Sequence, residues 1–121
     1  MLSRDQPAIV NIASIAGLVG MAGTSAYCAS KHGVVGLTKA SALDYARCVR
    51  VNAVAPGFIK TPLVGSVVTA EGGLEKLAQL HSMKRIGTVS EVADVITFLL
   101  SPRASFMTGS VFICDGGFVA Q

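Results

Sequence analysis

The chain alternates short β-branched runs with longer helical patterns, and that alternation leaves few folds open. "PAIVNIA" at residues 7–13 is a nearly continuous apolar run in which Ile9, Val10 and Ile12 favour a strand. Apolar residues on both of its faces fit a parallel strand covered on each side. "SIAGLVGMAGTS" follows, rich in glycine and serine, and reads as the loop at the strand's C-terminal end. Over 25–46 the pattern turns helical: Val34, Leu37 and Ala40, then Leu43 or Tyr45, recur near the helical period, and Thr24 or Ser25 can cap the start. "VRVNAVAP" at 49–56 is again β-branched and apolar, and Pro56 and Gly57 end it. The stretch 58–85 is less regular, with a helix expected over 74–80. "TVSEVADVITFLL" opens with a capping box, Thr88 and Glu91, and Ser101 with Pro102 stops that helix. "SVFICDGG" is a third short strand closed by a turn. Strands alternating with helices mean crossover connections, a parallel sheet and helices on both of its faces.

A sheet of three parallel strands has a long open edge, which is an aggregation liability unless something pairs with it. The rest of the composition suits a buried core: 121 residues, one domain's worth, are 51% hydrophobic and 14% charged, which excludes a disordered chain. The net charge of +3 is spread along the chain, as on a solvated surface rather than a nucleic-acid patch. Cys28, Cys48 and Cys114 have no CxxC spacing and sit among small or apolar neighbours, so buried free thiols in a reducing compartment are expected. The first residues lack a signal peptide's apolar core, and no apolar run approaches the roughly 20 residues of a spanning helix. The expectation is a soluble, cytoplasmic protein that binds neither membrane nor nucleic acid. Two isolated histidines and scattered cysteines give no metal-ligand spacing.

"SAYCASKHG" carries the chemistry. Tyr27 and Lys31 stand four residues apart, on one face of the expected helix, in a run of small residues. Ser14 lies at the C-terminal end of the first strand, and ligand sites in open parallel sheets form outside those ends. Serine, tyrosine and lysine can therefore converge. An ammonium beside a phenol favours the phenolate, and a phenol so tuned can exchange a proton with a substrate oxygen. A serine hydroxyl can hold and polarise that oxygen, and the small residues leave room for a flat cofactor and a substrate.

With Ser14, Tyr27 and Lys31 at this spacing, the sequence resembles the short-chain dehydrogenases/reductases. The likeness continues through "IVNIASIAG", "AYCASKHGVVGLTKASALDYA", "RVNAVAPGFIKTPL", "RIGTVSEVADVITFLLS" and "ASFMTGSVFICDGG", and covers essentially the whole chain. It implies the C-terminal part of a Rossmann-like, doubly wound α/β domain. It also implies NAD- or NADP-dependent oxidation of a small secondary alcohol, or reduction of a ketone, in a full-length form that is a dimer or tetramer of identical chains. Tyr27 would be the catalytic acid/base, Ser14 would position the substrate oxygen, and Lys31 would tune the phenol and bind the nicotinamide ribose. Pro56, Gly57, Ile59 and Thr61 match the segment beside the nicotinamide, where the Ile59 backbone and the Thr61 hydroxyl would hold the carboxamide. Residues 61–83 would form a substrate lid on a partial domain spanning 1–121. The family's N-terminal half, with its glycine-rich pyrophosphate turn and its NAD/NADP-selecting residue, has no counterpart here, since neither G-x-G-x-x-G nor TGxxxGxG occurs. Cys48 and Val89 replace a customary glycine and proline.

Two other readings are open to the same residues. A serine hydrolase could draw on Ser14, on His32 or His81, and on Asp44, Asp94 or Asp115. But Ser14 is flanked by Ile12 and Ala16 where a nucleophile elbow needs glycines. The other is an inactive relative that keeps the family's pairing surfaces and acts only as an interaction module.

Overall fold

β-Branched side chains crowd a helix but fit a pleated surface. In a computed structural model, which describes residues 6–68 and 72–121, strand β1 forms over Ala8–Ile12, β2 over Arg50–Pro56 and β3 over Val111–Cys114. All three pair in parallel in the order β1-β2-β3, with Ile9 opposite Val51, Ile12 opposite Val54, and Val54 opposite Phe112. Helix α1 (Ser25–Asp44) joins β1 to β2, and α2 (Pro62–Val67), α3 (Gly73–Leu80) and α4 (Val89–Leu100) lie between β2 and β3. This is the α/β class and the element order expected from the sequence, with α2 added. Among the described residues, no helix is long and apolar enough to cross a membrane.

The central strand β2 is buried along 50–55, which requires cover on both faces. Ala53 and Ala55 share a core cluster with Ala13 and with Val35 of α1. Helix α4, which carries the fully buried Leu99, packs against all three strands. The run reads as apolar, yet Arg50 and Asn52 within it are also buried. Both hold the crossover that leads into β3. Arg50 donates to the carbonyls of Met107 and Ser101, and Asn52 donates to Met107 O at 2.8 Å while its Oδ1 accepts from the Ser110 N–H. Buried polar groups persist where such partners exist.

Local chemistry moved several expected boundaries. Thr24 stands at the N-cap of α1, but its hydroxyl donates back to Met21 O at 2.8 Å and caps nothing. Helix α2 arises in a stretch where no element was expected: Pro62 opens it, and the Thr61 hydroxyl accepts from the Val64 N–H. The cysteines are free, as expected, but Cys48 is exposed in the turn after α1 rather than buried.

The capping box of α4 is complete, and Arg85 adds two 2.8 Å bonds to Glu91. Hydrogen bonds from Arg85 first, and from the Thr88 N–H second, hold the Glu91 carboxyl down at about 2, against an ordinary 4.5. A lowered folded-state value means that the ionised carboxylate stabilises the fold above pH 4.5, and that this contribution is lost as pH falls through about 2. The pair is solvent-exposed, so the effect is small. We expect Glu91→Gln to melt slightly below the parent near neutral pH, and the gap to close as the pH is taken down towards 2. A gap that persisted in acid, followed by circular dichroism, would assign the effect to packing rather than charge.

Candidate active site

Parallel strands deliver the loops at their C-terminal ends to one side of the sheet. Ser14 follows β1 and caps a 3-10 turn, Ile15–Gly17, with its Oγ accepting from the Ala16 N–H at 3.1 Å. Gly17 lets this turn touch α1, because a Cβ there would stand 2.7 Å from the Lys31 carbonyl oxygen. The hydroxyl of Ser14 is thereby set against the helical turns that carry Tyr27 and Lys31.

Tyr27 is half exposed. Lys31 reaches back to the strand: its Nζ donates to Ile12 O at 3.0 Å and lies 5.7 Å from the centroid of the Tyr27 ring. The ammonium is thus held between the end of β1 and the phenol. Ser14, Tyr27 and Gly57 line one cleft of about 540 Å³. Apart from Thr24, its other walls are apolar: Met21 from the loop after Ser14, Phe58 after β2, Leu63, Val64 and Val68 from α2 and its end, and Leu77 of α3. No charged side chain lines it among the described residues.

The loop after β2 contains the candidates for cofactor binding. Pro56 pairs with Cys114 at the end of the sheet. Gly57 is there because nothing larger fits: a Cβ would lie 3.0 Å from Asp115 Cα and 3.1 Å from His81 Nε2. Ile59 forms a parallel bridge with Gly87, through Gly87 N–H to Phe58 O and Lys60 N–H to Gly87 O, each 2.9 Å. In that geometry the N–H and carbonyl of Ile59 itself turn away from the bridge. The Thr61 hydroxyl, while accepting from Val64 N–H at 3.2 Å, keeps its own proton to donate. Within the expected lid, 61–83, residues 69–71 lie outside the described residues.

The hydrolase set does not assemble. His32 Nδ1 bonds the Cys28 carbonyl, His81 is bonded to Leu77 O and Phe58 N, and neither borders the cleft of Ser14. Asp115 accepts from the N–H groups of Gly117 and Val119. Burial, then Glu91 and Asp115, raise the Cys114 thiol, so it stays protonated. Among the described residues, no three metal-ligating side chains gather. Sequence reasoning singled out neither Met21 nor Phe58, and took Leu63 and Leu77 only as unnamed members of the expected lid, 61–83. Phe58 and Leu63 had a signal, since each stands one or two places from a residue already singled out. Met21 and Leu77 meet the site only through tertiary contact.

A family model described as Enoyl-(Acyl carrier protein) reductase matches residues 1–119. The chain is 51% identical over 122 residues to cyclohexanol dehydrogenase of Acinetobacter sp. strain SE19, covering 100% of this chain and 47% of that protein. Among solved structures, ligand-free aldohexose dehydrogenase (AldT) of Thermoplasma acidophilum superposes with a TM-score of 0.93 at 42% identity, over 98% of this chain and 50% of that one. ElxO with NADP bound superposes with a TM-score of 0.87 at 40% identity, over 94% and 47%. The chain spans about half the length of the relatives it matches. In the parallel strand ends, the serine and the tyrosine–lysine turn, and in a likeness that runs across nearly all of its residues, the chain belongs to the short-chain dehydrogenase/reductase family.

Proposed function

We propose that these residues form the acid/base and substrate half of an NAD- or NADP-dependent dehydrogenase that interconverts a compact, uncharged secondary alcohol and its ketone. The observation that carries this reading is the shared cleft. Ser14 and Tyr27 enter one apolar chamber, and the Lys31 ammonium is tethered at the Tyr27 ring. In the oxidative direction, the substrate hydroxyl passes its proton to the Tyr27 oxygen. The Ser14 hydroxyl donates to the same substrate oxygen and orients it. The Lys31 ammonium favours negative charge on the phenol oxygen. Bound beside the cleft, a nicotinamide would supply or accept the hydride. The residues present fit such a group: the Ile59 N–H and carbonyl, turned away from the Gly87 bridge, and the Thr61 hydroxyl are available to a carboxamide, Pro56 and Gly57 back that loop, and Lys31 with Tyr27 would hold the ribose.

An apolar chamber of this size favours an alicyclic substrate over a charged or polyhydroxylated one, since burying unpaired charge or hydroxyls is costly. The name of the cyclohexanol dehydrogenase relative supports that choice. Residues 61–83 would serve as the lid, and a homo-oligomer would be the working form. The test is to join this chain to the N-terminal part of that relative and follow NAD(P)H formation at 340 nm with cyclohexanol and with an aldohexose. Turnover of cyclohexanol above the sugar is expected, and no turnover of any secondary alcohol sinks the reading.

A further inference from the structure

His81, which follows α3 and takes no part in the proton transfer proposed above, is 1% exposed. Its Nδ1 lies 2.8 Å from Leu77 O and its Nε2 lies 3.3 Å from the Phe58 nitrogen. A carbonyl only accepts and a backbone N–H only donates. The tautomer is therefore fixed, with the proton on Nδ1 and the lone pair on Nε2. Phe58 and Phe118 meet the ring edge-on, with centroids at 5.8 and 5.3 Å. Gly57 gives the ring space, since a Cβ there would come within 3.1 Å of Nε2.

The ring's two partners have something in common. Leu77, on α3, and Phe58, on the loop after β2, both border the cleft of Ser14 and Tyr27. They are 19 residues apart in the chain and belong to different elements. The imidazole spans them with one bond to each backbone. The segment that carries it is itself fastened to the closing turn, through Met83 N–H to Gly116 O at 2.9 Å and Ser82 Oγ to Gly117 O at 3.0 Å. We infer that His81 is a positioning residue that fixes where Leu77 of α3 and Phe58 stand relative to each other along the border of the substrate cleft. This rests on reading that cleft as the substrate site. A histidine that merely filled space would owe its burial to its ring volume, whereas a bridge needs both ring nitrogens.

Two substitutions separate these cases. The terminal oxygen of glutamine can take the place of Nε2, and the amide nitrogen of asparagine can take the place of Nδ1. His81→Gln therefore keeps an acceptor for the Phe58 N–H but gives up the bond to Leu77 O, whereas His81→Asn keeps that bond and leaves the buried Phe58 N–H unpaired. In the fused enzyme, His81→Asn is expected to raise KM for the alcohol roughly tenfold or more, with kcat and the cofactor KM within about threefold. His81→Gln, which breaks the other leg of the bridge, should raise the alcohol KM as well, again with kcat and the cofactor KM within about threefold. In the 121-residue chain itself, hydrogen exchange read by mass spectrometry should speed up about tenfold at the peptide containing Phe58 in His81→Asn and not in His81→Gln. An alcohol KM left at the parental value in either variant, or kcat and cofactor KM that worsen along with it, overturns the inference. Should a Tyr27→Phe control keep its turnover, the reading of the cleft falls instead. The exchange pattern then judges the bridge alone, and equal protection of Phe58 in both variants overturns it.

Discussion

Tyr27→Phe in the fused enzyme should lower kcat by about 100- to 10,000-fold, the usual cost of losing one positioned acid/base, while cofactor binding changes little. The substitution removes one oxygen and leaves the ring where it is, half exposed at the mouth of the cleft. The ring's other contact, with the Lys31 ammonium at 5.7 Å from its centroid, survives. Lys31→Ala should behave differently. Its Nζ is fastened to the Ile12 carbonyl at the end of β1, so the loss empties the space between strand and phenol. It also removes the positive charge that favours the phenolate and, on the proposed reading, a hydrogen bond to the cofactor. Both kcat and the cofactor KM should suffer. Titration calorimetry with NAD and NADP, run beside the kinetics, separates the two variants. A Tyr27→Phe enzyme that turned over at the parental rate would mean that some other group moves the proton.

Much of this was legible in the sequence because local rules and tertiary context agreed. The three strands, α1, α3 and α4 came from hydrophobic period and caps, and the capping box of Thr88 and Glu91 formed as its spacing dictated. The tyrosine–lysine pair was visible because four residues make one helical turn. What the sequence hid depended on distance. Nothing near Leu77 announces that it borders the same cleft as Tyr27. Nothing near His81 tells that its ring will be shared between Phe58 and Leu77, 23 and 4 residues away. Arg50 and Asn52 look out of place in a central strand until the loop that they hold is in view. Helix α2 had its signal, a threonine before a proline, but its short run of residues lacks the repeated period that identifies a helix.

The edge of β1 should govern how the chain behaves by itself. Arg50 N–H bonds Pro7 O and Ala13 N–H bonds Val54 O, so by the strand's alternation the odd-numbered residues of β1 present their backbone groups to β2. Ala8, Val10 and Ile12 present theirs outward, and Lys31 takes only the Ile12 carbonyl. Ile9 and Ile12 are 49% and 48% exposed beside that edge. An unpaired parallel strand with apolar neighbours is a template for another strand. We therefore expect the 121-residue chain, produced alone, to elute as a dimer or larger by light scattering and to oxidise no alcohol with NAD(P). The second expectation has its own ground, because no G-x-G-x-x-G turn is present to present helix N–H groups to a pyrophosphate. Val10→Pro removes an outward N–H without touching the β2 ladder, and Ile9→Lys sets a charge on the edge. Either should shift the chain towards monomer, and the pair guards against one of them failing to fold. Co-expression with the N-terminal part of the cyclohexanol dehydrogenase relative should cover the edge instead, giving a heterodimer of defined mass that gains turnover. A chain that is monomeric alone and oxidises alcohols unaided would show that β1 needs no further strand and that the cofactor finds its hold within these residues.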